Sequence, residues 1–325
     1  MDRMSPFSVK AVRHVGVVGR YHTPGIAKPL LRLAAFLAAR GLGVCMETET
    51  AVLTKLAGIR TASLDDLGSI VDLVIVVGGD GTMLSVARML APQHIPLIGI
   101  NQGRLGFLTD IALSDMETAL AAMLDGALSV EDRIMLTAAV HRDGKELISN
   151  LAFNDVVVSR GALGGMIDLA VSIGDSYVCD LRADGVIIAT PTGSTAYAMS
   201  AHGPIVHPSL RAWSLVPISP HALTNRPIVV GDDEQVTIAI TSDRESSIHW
   251  DGHYHRELRE ADRIVIQAAP FSVRLLHPRG YDYFAMLRQK LHWSATPLSN
   301  DRDQGARHQG SGIRDQKKRP PTAGK

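Results

Sequence analysis

The sequence predicts an N-terminal α/β domain, a parallel sheet with flanking helices, followed by an all-β C-terminal domain. Up to about residue 128, strand-like and helix-like segments alternate, which is typical of a parallel sheet covered by helices on both faces. From about residue 129 the helical periodicity stops, and short β-branched stretches recur between turn residues. The length of 325 residues also favours more than one domain.

The elements of the first domain are predicted from the spacing of apolar residues. Strand patterns fall at residues 11–19, 43–48, 72–77 and 95–100, and helical patterns at 28–40, 82–90 and 114–124. Ser114 and Glu117 stand three residues apart, which predicts a capping box at the start of the last of these helices.

The second domain is predicted over residues 129–280. Its β-branched segments lie at 134–140, 154–159, 167–173, 184–190, 235–240, 262–269 and 272–277. Residues 281–293 have a helical pattern, and we expect this helix to return to the first domain. Residues 294–325 are rich in Gly, Gln, Asp and Arg, which favours a disordered tail; a regulatory or binding arm is the alternative.

Composition and charge exclude several classes of protein. Lys plus Arg and Asp plus Glu both count 33, so no basic excess favours nucleic acid as a partner. The first ten residues carry no apolar core of a signal peptide, and every apolar run is far shorter than the ~20 residues of a spanning helix. Cys45 and Cys179 show no disulfide or CxxC spacing. We therefore predict a cytoplasmic protein without a membrane partner.

The sequence Gly-Gly-Asp-Gly-Thr at 78–82 is the strongest local motif. It follows an apolar strand and precedes a helical segment, where ligands of parallel sheets gather. Glycines let backbone amides approach a phosphate, and the helix N-terminus favours anions. Asp80 would repel a phosphate unless it accepts a hydroxyl proton or holds a metal ion. A tight turn with a capping Asp is the alternative.

Three further segments favour a nucleotide site. The loop at 101–108, Asn-Gln-Gly-Arg-Leu-Gly-Phe-Leu, follows the next strand and lies at the same sheet edge. Asn154 and Asp155 supply the donors and acceptors that suit vicinal ribose hydroxyls, although such a pair is commonly a turn. The segment at 190–197, Thr-Pro-Thr-Gly-Ser-Thr-Ala-Tyr, is dense in hydroxyls and exposed amides, which suits phosphate and ribose; a polar loop without a ligand is the alternative.

The histidines give a weaker signal. His253 and His255 share a face if residues 250–255 are extended, and together they could chelate a metal ion. A third ligand at suitable spacing is missing, so surface or turn histidines are favoured. His202 and His207 are interpreted in the same way, and no metal-ligating residue is predicted.

Taken together and in this order, the four segments resemble the NAD kinase family over residues 12–293. The GGDGT turn is shared with lipid kinases and phosphofructokinases, whereas the segment at 184–210, DGVIIATPTGSTAYAMSAHGPIVHPSL, is far more specific. The resemblance implies the reaction ATP + NAD → ADP + NADP, with phosphate added to the 2′-hydroxyl of the adenosine ribose and NAD held between the two domains.

The resemblance also implies roles for individual residues. Asp80 corresponds to the proton acceptor of the family. His253 stands where relatives often have Gln or Asn. The residues implied to contact NAD are Asp80, Gly81, Asn154, Asp155, Arg182, Asp184, Thr195, Ala196, Tyr197, Ala198, Met199, Ser200 and His253.

Cofactors and partners follow from the same resemblance. The charge of the transferring phosphoryl group needs a divalent metal, and because no metal cage is visible in the sequence, Mg²⁺ is expected to arrive with ATP. NAD kinases commonly form dimers or tetramers, so a homo-oligomer is expected. Two alternatives stay open: a soluble lipid-type kinase sharing the GGDGT turn, and a non-catalytic NAD(P) sensor, which would not need Asp80.

Overall fold

The computed structural model describes residues 7–19, 25–55, 58–103, 105–161 and 164–293. The described residues through Gly280 pack as one compact unit, and the described residues 281–293 belong to a second one. The predicted tail at 294–325 lies outside the described residues. The predicted division at residue 128 stays a prediction.

The N-terminal part alternates strands and helices as the sequence predicts. Its strands are β1 (His14–Gly19), β2 (Gly43–Glu47), β3 (Arg60–Ala62), β4 (Leu73–Gly78), β5 (Leu97–Asn101) and β6 (Ile111–Ala112). Its helices are α1 (Ala27–Ala39), α2 (Thr48–Thr54), α3 (Leu64–Leu67), α4 (Asp80–Leu90) and α5 (Met116–Leu124), with short 3₁₀ turns at Val9–Ala11 and Ala91–Gln93.

The rest of the first compact unit consists almost entirely of strands. They are β7 (Leu128–Arg142), β8 (Lys145–Ala152), β9 (Asp155–Arg160), β10 (Ile167–Ile173), β11 (Ser176–Ala183), β12 (Gly185–Ala189), β13 (Ala212–Ile218), β14 (Ile228–Gly231), β15 (Val236–Ile240), β16 (Ser246–Trp250), β17 (Tyr254–Leu258) and β18 (Arg263–Pro278). One 3₁₀ turn (Gly193–Thr195) and the short helix α6 (Tyr197–Ser200) follow β12.

Two sheets organise the described strands. In the first, β3, β2, β1, β4 and β5 are parallel neighbours, and β18 continues the sheet beside β5, leading on to β15, β10 and β11. The second sheet is antiparallel, in the order β14-β13-β12-β9-β16-β17. The predicted fold class, a parallel α/β part followed by antiparallel strands, is confirmed.

Burial explains why these segments form strands and helices. All six residues of β4 are buried, as expected for a central parallel strand covered on both faces. In α1, Leu30, Leu33 and Leu37 repeat at the helical spacing of three and four residues and are fully buried. Trp213 and Trp250 are fully buried in the antiparallel part, packed among the β-branched strands.

Two local predictions need correction. The predicted capping box at Ser114 is wrong, because α5 begins after Asp115 and no side chain caps it. The amide of Asp115 donates to the carbonyl of Ala112, so the turn that leaves β6 determines where the helix starts. The helix α2 was not predicted, since its Thr-rich sequence has no helical apolar spacing; its start is capped instead by the carboxylate of Glu47.

The second compact unit contains the helix α7 (Tyr283–Leu291), within the predicted range of 281–293. Asp282 caps it by accepting a hydrogen bond from the amide of Phe284. Across the described residues, none of the helices combines the length and the apolar composition that crossing a membrane requires.

Candidate functional site

A cavity of about 1180 Å³ opens where β2 and β4 end. Three of the residues predicted to form the site line it: Asp80, Gly81 and His253. The start of α2, the start of α3 and one face of α4 form the rest of its wall. The cavity therefore lies at the carboxyl ends of parallel strands, where the sequence predicts it.

Asp80 is the first residue of α4 and projects half-buried at the end of β4. Its carboxylate accepts hydrogen bonds from the amides of Phe107 and Leu108, at 2.8 and 3.0 Å, and from the hydroxyl of Thr109 at 3.1 Å. Both oxygens are thereby oriented by one neighbouring loop, the segment 105–109. The two glycine-rich motifs thus come together at one carboxylate.

The loop that holds Asp80 depends on a glycine and on a buried amide. A Cβ atom at Gly106 would overlap the Asp80 carboxylate, so a side chain there would displace it. The side-chain amide of Asn101, at the end of β5, donates to the Thr109 hydroxyl at 2.8 Å. Asn101 is buried, and it fixes the hydroxyl that in turn contacts Asp80. These contacts pre-orient the carboxylate before any ligand binds.

Asp251 supports the candidate site, and sequence reasoning assigned it no role beyond its place in a turn. It opens the turn between β16 and β17, where Asp251 and Gly252 both have positive φ, 50° and 68°, as a type I′ turn requires. Its carboxylate is completely buried. It accepts hydrogen bonds from the amides of Phe153, Asn154 and Asp155, at 2.7 to 3.1 Å. This carboxylate fixes the backbone at which the predicted Asn-Asp pair stands.

Arg88 connects this group of residues to the cavity. It lies on α4, two turns after Asp80, and its guanidinium pairs with the Asp251 carboxylate at 3.0 Å. The same guanidinium lies over the ring of Tyr254, 5.1 Å from its centroid. The helix that begins with Asp80 is therefore connected, through the Asp251 carboxylate, to the strand that begins with Asp155.

Asp155 is also a buried carboxylate, but its surroundings oppose its negative charge. Only 5% of the residue is exposed. Burial, together with the nearby negative charge of Asp251, raises the pKa of Asp155 to about 7. A carboxyl group with this pKa is half protonated near neutral pH. A ligand that donates hydrogen bonds to its ionised form therefore favours loss of the proton.

The hydroxyl-rich segment packs directly on the Asn-Asp pair. The Thr190 hydroxyl donates to the carbonyl of Phe153 at 2.7 Å, and a Cβ atom at Gly193 would overlap the carbonyl of Asn154. Thr195 ends the 3₁₀ turn, Ala196 follows it, and the remaining predicted residues form the short helix α6, in which Ala198 is buried and Tyr197 is exposed. The structure therefore brings two of the four sequence motifs into contact here.

Arg182 and Asp184 do not join this group within one chain. They lie where β11 ends and β12 begins: Arg182 is paired with Asp168, and the carbonyl of Asp184 accepts from the amide of Arg160. Asp155 pairs with Ala189 at the other end of β12. At about 3.3 Å per residue, the six residues from Asp184 to Thr190 span about 20 Å. Asp184 pairs with Arg160 at 2.8 Å instead.

His253 and His255, the weaker candidates for a metal site, lie in different parts of the hairpin, one in its turn and one on its second strand. Residues 250–255 are not extended, because 251–253 form the turn, so the premise that His253 and His255 share a strand face is wrong. His255 lies on β17 and stacks against His249 at 5.9 Å between ring centroids. His253 lines the cavity, where its Nδ1 lies 2.8 Å from the carbonyl oxygen of Asp251.

Comparison with known families identifies two matching domain models. The ATP-NAD kinase N-terminal domain matches residues 15–128, and the ATP-NAD kinase C-terminal domain matches residues 153–278. Curated relatives named NAD kinase match most of the chain. That of Nitrosospira multiformis is 48% identical over 87% of this chain and 96% of its own length, and that of Chromobacterium violaceum is 49% identical over 86% and 97%.

Solved structures resemble the fold. A yeast NADH kinase complexed with NADH superposes with a TM-score of 0.82 at 23% identity, covering 89% of this chain and 90% of that one. An NAD kinase from Archaeoglobus fulgidus in complex with ATP has a TM-score of 0.66 at 26% identity, covering 86% and 98%. At 23% identity, the likeness to the yeast enzyme concerns the fold alone.

Proposed function

The chain belongs to the ATP-NAD kinase family and phosphorylates NAD with ATP, and we propose that Asp80 is the general base for the 2′-hydroxyl of the adenosine ribose. The observation that carries this proposal is the Asp80 carboxylate, held by three hydrogen bonds at the wall of the cavity. Neither alternative from the sequence, a lipid-type kinase or a non-catalytic sensor, is supported by the family models.

The proposed step needs a base because a ribose hydroxyl is a poor nucleophile. A carboxylate oxygen of Asp80 takes the proton as the ribose oxygen forms its bond to the γ-phosphorus of ATP. The bond between that phosphorus and the bridging oxygen breaks, and ADP leaves. The hydrogen bonds from the 105–109 loop keep the carboxylate oriented during this transfer.

We propose that NAD is held by the second group of residues. Asn154 and Asp155 offer an amide and a carboxylate for ribose hydroxyls, and the segment from Thr195 to Ser200 and His253 complete the contacts. Arg88 and Asp251 do not need to touch NAD; they hold the backbone that presents the Asn-Asp pair.

The electrostatics of the cavity favour a divalent metal carried by ATP. Among the described lining residues, Glu47, Glu49, Asp65 and Asp80 are acidic, and the guanidinium of Arg88 is already paired with Asp251. A triphosphate would be repelled from this wall unless a cation accompanied it. Among the described residues, no cluster of Asp, Glu, His or Cys side chains is placed to hold a metal ion by itself, so the triphosphate would supply most of the ligands of Mg²⁺. When bound, Mg²⁺ would neutralise charge on the phosphates.

The separation of Arg182 and Asp184 from Asp155 supports self-association as a dimer or tetramer. If these two residues contact NAD, as the family resemblance implies, they would do so at a site held mainly by a neighbouring subunit. We also propose a cytoplasmic location; both Cys45 and Cys179 are free thiols, which suits a reducing compartment.

A coupled assay tests the proposed reaction. Purified protein is incubated with NAD, Mg²⁺ and either ATP or polyphosphate, and NADP is detected with a strictly NADP-dependent dehydrogenase. We expect NADP formation with ATP that stops when a chelator removes the metal. ADP formation without a product that this dehydrogenase accepts would refute the 2′-hydroxyl as the acceptor.

Mixing inactive variants tests self-association at the site. If Arg182 serves a neighbouring subunit, mixing Asp80→Asn with Arg182→Ala protein under subunit exchange restores activity, because one site in each mixed pair is intact. Mixing Asp80→Asn with Asp155→Ala is the control, assayed at an NAD concentration so far below the raised KM of Asp155→Ala that this variant alone is nearly inactive. It gives no activity beyond that of the separate variants, since both changes belong to the same side of the site. Equal results from both mixtures would contradict the shared site.

A further inference from the structure

A buried row of four charged side chains lies outside the contacts described so far. His277, near the end of β18, places its Nδ1 2.9 Å from Asp110 and its Nε2 3.3 Å from Glu131. Glu131 pairs with Arg133 at 2.8 Å, and both lie on β7. The side chains of His277, Asp110 and Arg133 are at most 4% exposed. We call these four residues the buried charge row.

The charges of this row balance only when His277 carries a proton. Two carboxylates and one guanidinium leave a net charge of −1, which the imidazolium cancels. Burial lowers the pKa of His277, but the carboxylates of Asp110 and Glu131 outweigh it and raise the pKa above its usual value. Burial opposes the ionisation of Glu131, yet its hydrogen bond from His277 and the charge of Arg133 lower its pKa to about 2. Each charge is thus stabilised by a partner.

Both ends of the buried charge row meet the functional site. Asp110 directly follows Thr109, the residue whose hydroxyl contacts Asp80. At the other end, the guanidinium of Arg133 donates to the hydroxyl of Thr192 at 3.2 Å. Thr192 belongs to the segment that packs on Asn154 and leads into α6. One continuous set of contacts therefore runs from the loop behind the base to the loop beside the predicted NAD contacts.

We propose that His277 is a positioning residue, whose contact with Asp110 anchors the 105–109 loop and thereby orients the Asp80 carboxylate for proton transfer. This inference rests on the proposed role of Asp80 as the general base. His277 is buried behind the loop, and its proposed effect on the base runs through Asp110. Removing the imidazolium leaves Asp110 without its charged partner, so the loop that supplies all three hydrogen bonds to Asp80 loses an anchor.

A buried ion pair can also serve stability alone, so a matched control is needed. Asp262 is fully buried and forms two hydrogen bonds with Arg142, at 2.7 and 2.8 Å. Arg142 lies on β7, nine residues after Arg133, a separation of about 30 Å along an extended strand. Arg142→Gln therefore breaks a comparable pair far from the loop.

The test compares turnover, Michaelis constants and thermal midpoints of His277→Gln, Arg142→Gln and wild type. Gln at position 277 keeps an N–H donor but removes the charge. We expect kcat to fall about 10- to 100-fold, the scale of a small misplacement of a reacting group, with the KM for NAD within about threefold. Arg142→Gln is expected to lower the midpoint and leave kcat unchanged. If His277→Gln does not fold, Asp110→Asn removes the same charge pair and is expected to lower kcat in the same way.

A double variant separates positioning from general damage. In the Asp80→Asn background the base is already absent, so adding His277→Gln should cost little further kcat. The inference would be overturned if folded His277→Gln kept the full wild-type kcat. It would also be overturned if His277→Gln lowered kcat by the same factor in the wild-type and the Asp80→Asn backgrounds. Wild-type kcat in Asp80→Asn itself would instead overturn the role of Asp80, so the two failures are distinguishable.

Discussion

Two carboxylates, Asp80 and Asp155, stand at strand ends on the two sides of the site, and their surroundings differ. Asp80 is half-buried, and a neighbouring loop donates three hydrogen bonds to it. Asp155 is buried beside a second carboxylate, Asp251; burial, and to a lesser extent the charge of Asp251, raise the pKa of Asp155 to about 7. The first group is held in one orientation; the second is held in an environment that opposes its charge.

This difference indicates a division of roles. A base must be oriented before the reaction, and the backbone donors around Asp80 provide that orientation. A binding group gains most when a ligand relieves an unfavourable environment, and ribose hydroxyls donating to Asp155 would do so. The ion pair of Arg88 with Asp251 joins the two sides, so the roles are divided but the geometry is shared.

The largest expected effect is the fall of kcat when Asp80 is changed. Asp80→Asn should lower kcat by about 10²–10⁴-fold, the usual contribution of a general base, because the amide cannot take the proton. Steady-state kinetics at saturating NAD and ATP measure it. Asp65→Asn is the matched control, since Asp65 lines the same cavity but is not placed to act as the base. An equal fall of kcat in both variants would show that Asp80 has no special role as the base.

On the Asp155 side, the expected effect is on binding. Asp155→Ala should raise the KM for NAD about 10- to 150-fold, because a charge-assisted hydrogen bond contributes about 1.5–3 kcal/mol. Its kcat should fall little, since the contact is equally good in the ground and transition states. A large fall in kcat with an unchanged KM would place Asp155 at the reacting group instead.

The pH dependence of kcat/KM for NAD sharpens the comparison. With a pKa of about 7, Asp155 ionises as the pH rises from 6 to 8, so kcat/KM should rise about tenfold over that range. Asp155→Asn should lose this rise, whereas Asp65→Asn should keep it. A rise that persists in Asp155→Asn would have to come from another group.

The smallest expected effect is on stability. The folded protein binds a proton at Asp155 more tightly than the unfolded chain does, so this carboxyl lowers the free energy of unfolding as the pH rises from about 4 through 7. Asp155→Asn should therefore raise the thermal midpoint at pH 8, and the gain should vanish near pH 4. A pKa raised by about three units corresponds to at most about 4 kcal/mol, or about 8–16 °C at about 2–4 °C per kcal/mol. A lower midpoint at pH 8 would contradict the burial argument.

Sequence reasoning predicted the parts of the site that depend on local patterns. The apolar run of β4 and the glycines after it predict a strand end suited to a phosphate, because neighbouring residues alone determine that local geometry. The fold class followed from the change between helical and alternating patterns. Asp80 stood out as a carboxylate where phosphate would be expected to exclude one.

The supporting residues could not be predicted in the same way. Arg88 and Asp251 meet across 163 positions, and Asp110 and His277 across 167. No local spacing records such contacts. The Asp251-Gly252 dipeptide does predict a hairpin turn, but not that the Asp carboxylate accepts hydrogen bonds from three amides where β8 passes into β9. The raised pKa of Asp155 depends on that same fold-dependent neighbour.

Calorimetric titration of NAD into Asp80→Asn protein without ATP tests the division of roles most directly, because it measures binding where the chemistry is removed. The account predicts a dissociation constant within about threefold of wild type for this variant, although its turnover is at least a hundredfold lower. The parallel titration of Asp155→Ala should show weakening of at least tenfold. A dissociation constant for Asp80→Asn that rises as much as its turnover falls would show that Asp80 binds NAD rather than activating it.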